Sequence, residues 1–344
     1  MKISHRSAER LQWAYLCRVV AIYGVVLIRS CGATFYQYGK IPLSDWLAAN
    51  FLDSLVRSAV PLFMMLSGAL TLRDARREGS LQKAAQRIIK VLLPLLTWSG
   101  IYLMWVSYNS GVPPDWLSIL SQPAMYHLWF VYMIIGIYLL IPLFQTIFES
   151  IKNRHHFQLY FFTLWFGVTC IPDYWPHPQL SLLQQNSLSG YGGYFLIGGF
   201  IASAGRNRLS SFVWLLILLS SVLATFGITW YLSWQANAPV ETGYLDFSPN
   251  VLVSAISAFV LFTRARVSTL TGKLLEYISD KIFLIFFVHV LVMEYVRYSD
   301  FISVVSQNFP MLITILIISI ATFVLSLVVA SFVRLVPGAK RVFG

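Results

Sequence analysis

His127, His289, Arg18, Arg29, Asp53, Arg57 and Glu294 stand in or beside long apolar runs. Each ionisable group inside a membrane span costs about 2.5–3.5 kcal/mol on insertion scales, so such residues are candidates for a site by default. Imidazoles exchange protons near neutral pH, and guanidinium groups hold anions. Arg18 and Arg29 are eleven positions apart on one helix, within about 20° of a common face and about 16 Å apart along the axis. Arg18 is near enough to one end to snorkel. Arg29 is not, and its charge calls for a counter-ion, with Asp53 or Glu294 on a neighbouring helix as the expectation. Asp53 and Arg57 are spaced i, i+4 and can pair on their own helix. His127 beside Trp129 also suits an interfacial anchor, and His289 an interhelical hydrogen bond.

The elements that must position these groups are membrane helices. The chain has 344 residues, of which 57% are hydrophobic, 16% aromatic and 11% charged. Soluble domains are about 45–50% apolar and about 25% charged, so a water-soluble fold, disorder and a disulfide-built secreted module are excluded. Apolar runs cover residues 11–35, 45–72, 84–108, 127–148, 157–171, 190–204, 212–234, 249–263, 277–298 and 310–335. The expectation is an all-α, polytopic integral membrane protein with about ten transmembrane helices. Runs 157–171 and 190–204 are short for spans, and the first run reads as an uncleaved helix. Net charge is +11. The basic residues fall in alternate connectors (Arg73, Arg76, Arg77, Lys83, Arg87 and Lys90, then Lys152 and Arg154, then Arg206 and Arg208, then Arg264, Arg266 and Lys273) and at the end in Lys340 and Arg341. Their alternation places both termini in the cytoplasm and implies contact with membrane lipids, not nucleic acid. The cysteines Cys17, Cys31 and Cys170 lack metal spacing and read as buried small hydrophobes. No ionisable residues carry the spacing of a metal site.

Several motifs in order extend this reading. They are Pro61-Leu62-Phe63-Met64-Met65-Leu66-Ser67-Gly68, then Arg87-Ile88-Ile89-Lys90-Val91-Leu92-Leu93-Pro94, then His127-Leu128-Trp129-Phe130 with Tyr126 before it. Gly193-Tyr194-Phe195-Leu196-Ile197-Gly198-Gly199 follows, and later Ser279 and His289. Over nearly its whole length the chain resembles acyltransferase family 3, the integral membrane O-acyltransferases, and is similar to enterobacterial common antigen O-acetyltransferases. The resemblance implies one membrane-embedded domain over 1–344 in the bacterial inner (cytoplasmic) membrane. It implies acetyl-CoA or another acyl-CoA as donor with no bound cofactor, a lipid-linked or surface glycan as acceptor, and glycan-assembly proteins as partners. No further soluble domain is expected. Arg29, His127 and His289 fall at catalytic positions. Arg18, Asp53, Arg57, Ser67, Arg87, Lys90, Trp129, Ser279 and Glu294 are expected to bind substrate, with Arg87 and Lys90 foremost for the CoA phosphates.

The match departs from the family at two places. Arg29 stands where the family carries its helix-one His, the expected general base, and arginine does not give up its proton in proteins. Phe286 stands where many relatives have Tyr. Three readings follow: His127 or His289 takes the base role with Arg29 on an oxyanion or acceptor; the chain is a catalytically silent glycan exporter or binding protein; or Arg29 is a variant within a working enzyme. In each, Arg18, Arg29, His127 and His289 are expected to converge on one cavity open toward both faces.

Overall fold

The computed structural model describes residues 12–72, 81–174, 187–204 and 209–344. Among them there are helices and turns and no strand. In chain order the helices are α1 (Gln12–Phe35), α2 (Leu43–Val56), α3 (Ala59–Leu72), α4 (Leu81–Ser110), α5 (Trp129–Leu139), α6 (Ile141–Ile151), α7 (His155–Tyr174) and α8 (Ser187–Ser203). They continue as α9 (Ser211–Ala236), α10 (Pro249–Arg264), α11 (Thr269–Ser279), α12 (Ile282–Tyr298), α13 (Asp300–Asn308), α14 (Met311–Val333) and α15 (Ala339–Val342).

Every apolar run read from the sequence falls on helix, and the protein is an all-α polytopic membrane protein. Among the described residues, 6 helical stretches are long and apolar enough to cross a membrane, or up to 8 if each of two bent pairs is one span. The helices over the two short runs, α7 and α8, are not among those spans. The pairs are α5 with α6, bent by 60°, and α12 with α13, bent by 69°. Proline accounts for the first bend: Pro142 has no N–H and its ring clashes with the carbonyl four residues back. Pro61 does the same to the run expected as one helix over 45–72, which breaks between α2 and α3 at Arg57 and Ser58. That break turns the end of α2 into a place where Arg57 can fold back along its own helix.

α1 is the central post. It packs against α2, α3, α10, α11, α12 and α14. Its two arginines are therefore surrounded by protein rather than by lipid. The closest helix pair is α3 with α8. A Cβ on Gly68 would stand 1.7 Å from the Phe195 carbonyl oxygen, and one on Gly198 1.8 Å from that of Met65. The two backbones touch at reciprocal glycines, the small-residue packing that drives helix association in membranes. The Ser-Gly end of the Pro61 motif is thus a packing device. It fixes α3, and with it Ser67, against the motif helix α8. Gly68→Ala or Gly198→Ala should destabilise the protein by at least about 1–3 kcal/mol, the range for overpacked cores. The measurement is thermal unfolding in detergent micelles; a melting temperature equal to the unsubstituted protein's for both variants would contradict backbone contact.

Candidate active site

His127 lies in a single 3-10 turn, Tyr126–Leu128, that leads into α5, and His289 lies near the middle of α12. Both are buried, at 1% and 0% exposure. Their ring centroids are 5.1 Å apart. Phe286, one turn before His289, packs on both rings, at 5.4 Å from His127 and 5.9 Å from His289. Tyr102 of α4 places its ring 5.1 Å from His127 and donates its hydroxyl proton to the Phe287 carbonyl at 2.6 Å. Trp98 stacks on Phe287, 5.9 Å between centroids. The imidazole pair is therefore set in a sleeve of aromatic rings from α4, α5 and α12. Sequence reasoning missed Tyr102 and Trp98, because an aromatic residue in an apolar run carries no signal of its neighbours.

The two imidazoles differ in their hydrogen bonds. His289 Nδ1 is 2.6 Å from the Phe286 carbonyl oxygen. A carbonyl only accepts, so Nδ1 carries the proton and Nε2 carries the lone pair. Nε2 has no partner, and neither do the two ring nitrogens of His127. Buried polar atoms are nearly always satisfied, so three orphaned ring nitrogens in one place mark groups held ready for a substrate.

Neither histidine lines these cavities, but one cavity reaches Phe286 on one side of the pair and another reaches Tyr126 on the other. On one side a cavity of about 410 Å³ is lined by Arg18, Ser67, Thr71, Arg87, Ser279 and Phe286. It shares Arg18, Ser279, Asp280 and Phe283 with a larger one of about 860 Å³, which also has Lys90, Arg334, Lys340 and Arg341 on its wall. On the other side a cavity of about 590 Å³ is lined by Arg29, Asp53, Arg57, Tyr126, Trp129 and Arg297, with Glu241. The first and last share no lining residue. The single cavity open toward both faces, expected from the sequence, is instead two vestibules with the histidine pair and Phe286 between them. The physical reason is size: Phe130 and Phe286, 5.5 Å apart, fill the space the sequence reading left open.

Arg18 and Arg29 thus serve opposite vestibules, as their separation along α1 requires. Arg18 donates to Ser279 Oγ at 3.5 Å and Arg87 to Thr71 Oγ1 at 3.2 Å. Lys90 is exposed on the wall of the larger basic cavity. Arg73, Arg76, Arg77, Arg206, Arg208 and the Lys83 side chain lie outside the described residues. Asp53 and Arg57 form the expected pair at 2.5 Å, and Arg57 also covers the Tyr244 ring at 3.8 Å. Glu294 pairs with Arg297 at 3.6 Å and lines none of these cavities. The expected counter-ion of Arg29 is therefore met only in part: Asp53 acts on it through space, but neither carboxylate contacts it. Both carboxylates are taken by an arginine three or four residues further along the same helix, a reach that needs no second helix. Arg29 rests over the Tyr126 ring at 4.6 Å instead.

The C-terminal residues complete the larger basic cavity, a role the sequence did not suggest for them. Gly338, at φ 83°, reverses the chain in a conformation that favours glycine. The Phe343 carbonyl accepts from Trp98 Nε1 at 3.1 Å, and Lys340 reaches the Asp280 carboxylate at 2.9 Å. The hydrogen bond from Lys340, with Arg334 nearby, holds the Asp280 carboxyl below the usual carboxylate range. At the far vestibule, burial and then the Glu241 carboxylate push the Tyr36 hydroxyl up to about 12.

A polytopic helical bundle that buries paired imidazoles between two opposed vestibules defines a membrane protein arranged for group transfer. This chain belongs to the acyltransferase family, whose acyltransferase domain matches residues 11–331. No curated protein and no solved structure matches the chain.

Because its native pKa is depressed, Asp280 contributes stability above its unfolded value of about 3.9 and loses that contribution as pH falls through the native value. The pair is half exposed, so Asp280→Asn should cost less than about 1 kcal/mol. Thermal unfolding should show this deficit at pH 7 and lose it once acidification protonates the native carboxyl; a deficit that grows on acidification would refute the assignment.

Proposed function

We propose that this acyltransferase of the bacterial inner membrane takes an acetyl or other acyl group from cytoplasmic acyl-CoA. It passes the group to a hydroxyl of a surface polysaccharide or lipid-linked glycan. The observation that supports the proposal is the orphaned imidazole pair, flanked by Phe286 on the wall of a basic vestibule and by Tyr126 on the wall of a second one.

The donor side follows from charge. The basic vestibules gather Arg18, Arg87, Lys90, Arg334, Lys340 and Arg341. Guanidinium and ammonium groups bind the phosphates of CoA through charge-assisted hydrogen bonds. The positive-inside rule sets this face toward the cytoplasm, where acyl-CoA is found. On the opposite face Tyr126 and Trp129 offer ring surfaces to a sugar.

The chemistry is an acyl exchange. The acceptor hydroxyl oxygen attacks the thioester carbonyl as His289 Nε2 takes the hydroxyl proton. The tautomer set by the Phe286 carbonyl leaves that nitrogen able to accept. His127 stands beside the reacting carbonyl and, when protonated or as an N–H tautomer, donates to the oxygen on which charge develops. The C–S bond then breaks and the CoA thiolate takes the proton from the imidazole, leaving an ester and free CoA. Arg29 takes no part as a base, since its guanidinium stays protonated.

His289→Ala and His127→Ala should each lower acyl transfer by about 10²-fold or more, the usual contribution of a positioned acid or base. Membranes supplied with radiolabelled acetyl-CoA read this as label in glycan. Unchanged incorporation in both variants would overturn the proposal, as would loss of glycan from the surface with acetyl content intact, the outcome expected of an exporter.

A further inference from the structure

The far vestibule holds a cation, Arg29, that no carboxylate contacts. Arg57 contacts Asp53 and the Tyr244 ring, Arg297 contacts Glu294, and Glu241, exposed on the same wall, accepts from the Tyr36 hydroxyl at 2.5 Å and keeps its own charge; Asp53 acts on Arg29 only through space. Among the described residues no carboxylate lies within ion-pair distance of Arg29, and its buried Nε has no hydrogen-bond partner. The Tyr126 ring beneath it is worth about 0.5–2 kcal/mol, less than the cost of a guanidinium at membrane depth. Arg297 donates to the Arg29 carbonyl at 2.8 Å, which ties the backbone and leaves the Arg29 charge as it was.

We infer that Arg29 is the anchor of an anion subsite, and that the acceptor glycan presents a carboxylate or phosphate group to it. This rests on the acyl-transfer reading above. A guanidinium fork matches both groups bidentately. Tyr126 and Trp129 supply the flanking ring faces for the sugar. Tyr126 directly precedes His127, so an anion held on Arg29 sets the neighbouring sugar hydroxyls against the imidazole pair. A neutral sugar would leave the guanidinium without an anion in contact.

Calorimetric titration of the purified full chain with glucuronate, inorganic phosphate and glucose tests the subsite without turnover. Saturable binding is expected for at least one anion, at least about tenfold tighter than glucose, as for hydrogen bonds to a charged group. Tighter glucuronate assigns a uronic-acid carboxylate; tighter phosphate assigns the phosphoryl group of a lipid carrier. Arg29→Gln should weaken anion binding by about tenfold or more, and Arg29→Lys by less. His289→Ala should keep the binding and lose transfer. Equal affinity for glucose and both anions, or an Arg29→Gln protein that is folded and binds as before, overturns the subsite. Should Arg29→Gln fail to fold, the comparison of ligands on the unsubstituted protein still decides. Anion binding without acyl transfer to any acceptor would end the transfer reading alone; transfer to neutral acceptors without anion binding would end the subsite alone.

Discussion

An ionisable side chain in an apolar bundle must meet a partner, a cavity or the interface, and that demand organises this molecule. Arg57 meets a carboxylate four residues back on its own helix. Arg18 and Arg29 meet cavities. His289 satisfies one nitrogen on the backbone of its own helix and leaves the other to the space between the vestibules. The aromatic sleeve of Trp98, Tyr102, Phe130 and Phe286 packs around the pair, and both imidazoles are buried within it.

The helices serve this arrangement through a few backbone events. Pro61 and Pro142 interrupt helices, and the first of these breaks frees Arg57 at a helix end. Gly68 and Gly198 bring α3 and α8 into backbone contact, which sets the depth at which Ser67 faces the basic vestibule. Tyr191 and Tyr194 on α8 both donate to Asp246, to its carboxylate and its carbonyl, and so dock the segment before α10. α1, packed on most sides by other helices, holds Arg18 and Arg29 at fixed depths on the two sides of the partition.

Much of this was legible in the sequence, for physical reasons. Composition and apolar runs forced a helical membrane protein, and helical spacing alone put Asp53 beside Arg57. Charge inside apolar runs picked out the residues that line the vestibules. What was not legible depends on contacts between helices distant in sequence. The meeting of His127 with His289 was an expectation only by resemblance, and the aromatic partition between them could not be read from residues that look like ordinary packing surface. Contact of Arg29 with a counter-ion was misjudged because pairing within a helix competes with pairing across helices, and Arg297 stands close enough to Glu294 to win it. The C-terminal cations, read only as topology markers, became cavity wall because Gly338 turns them back toward Asp280.

The partition is a run of three rings, with Tyr126 on one vestibule, Phe286 on the other, and His127 between them at 5.7 and 5.4 Å. A water-filled bore flanked by arginines would leak ions and discharge the potential across any energised membrane. A septum of packed rings keeps the two arginine-lined vestibules from joining into such a bore.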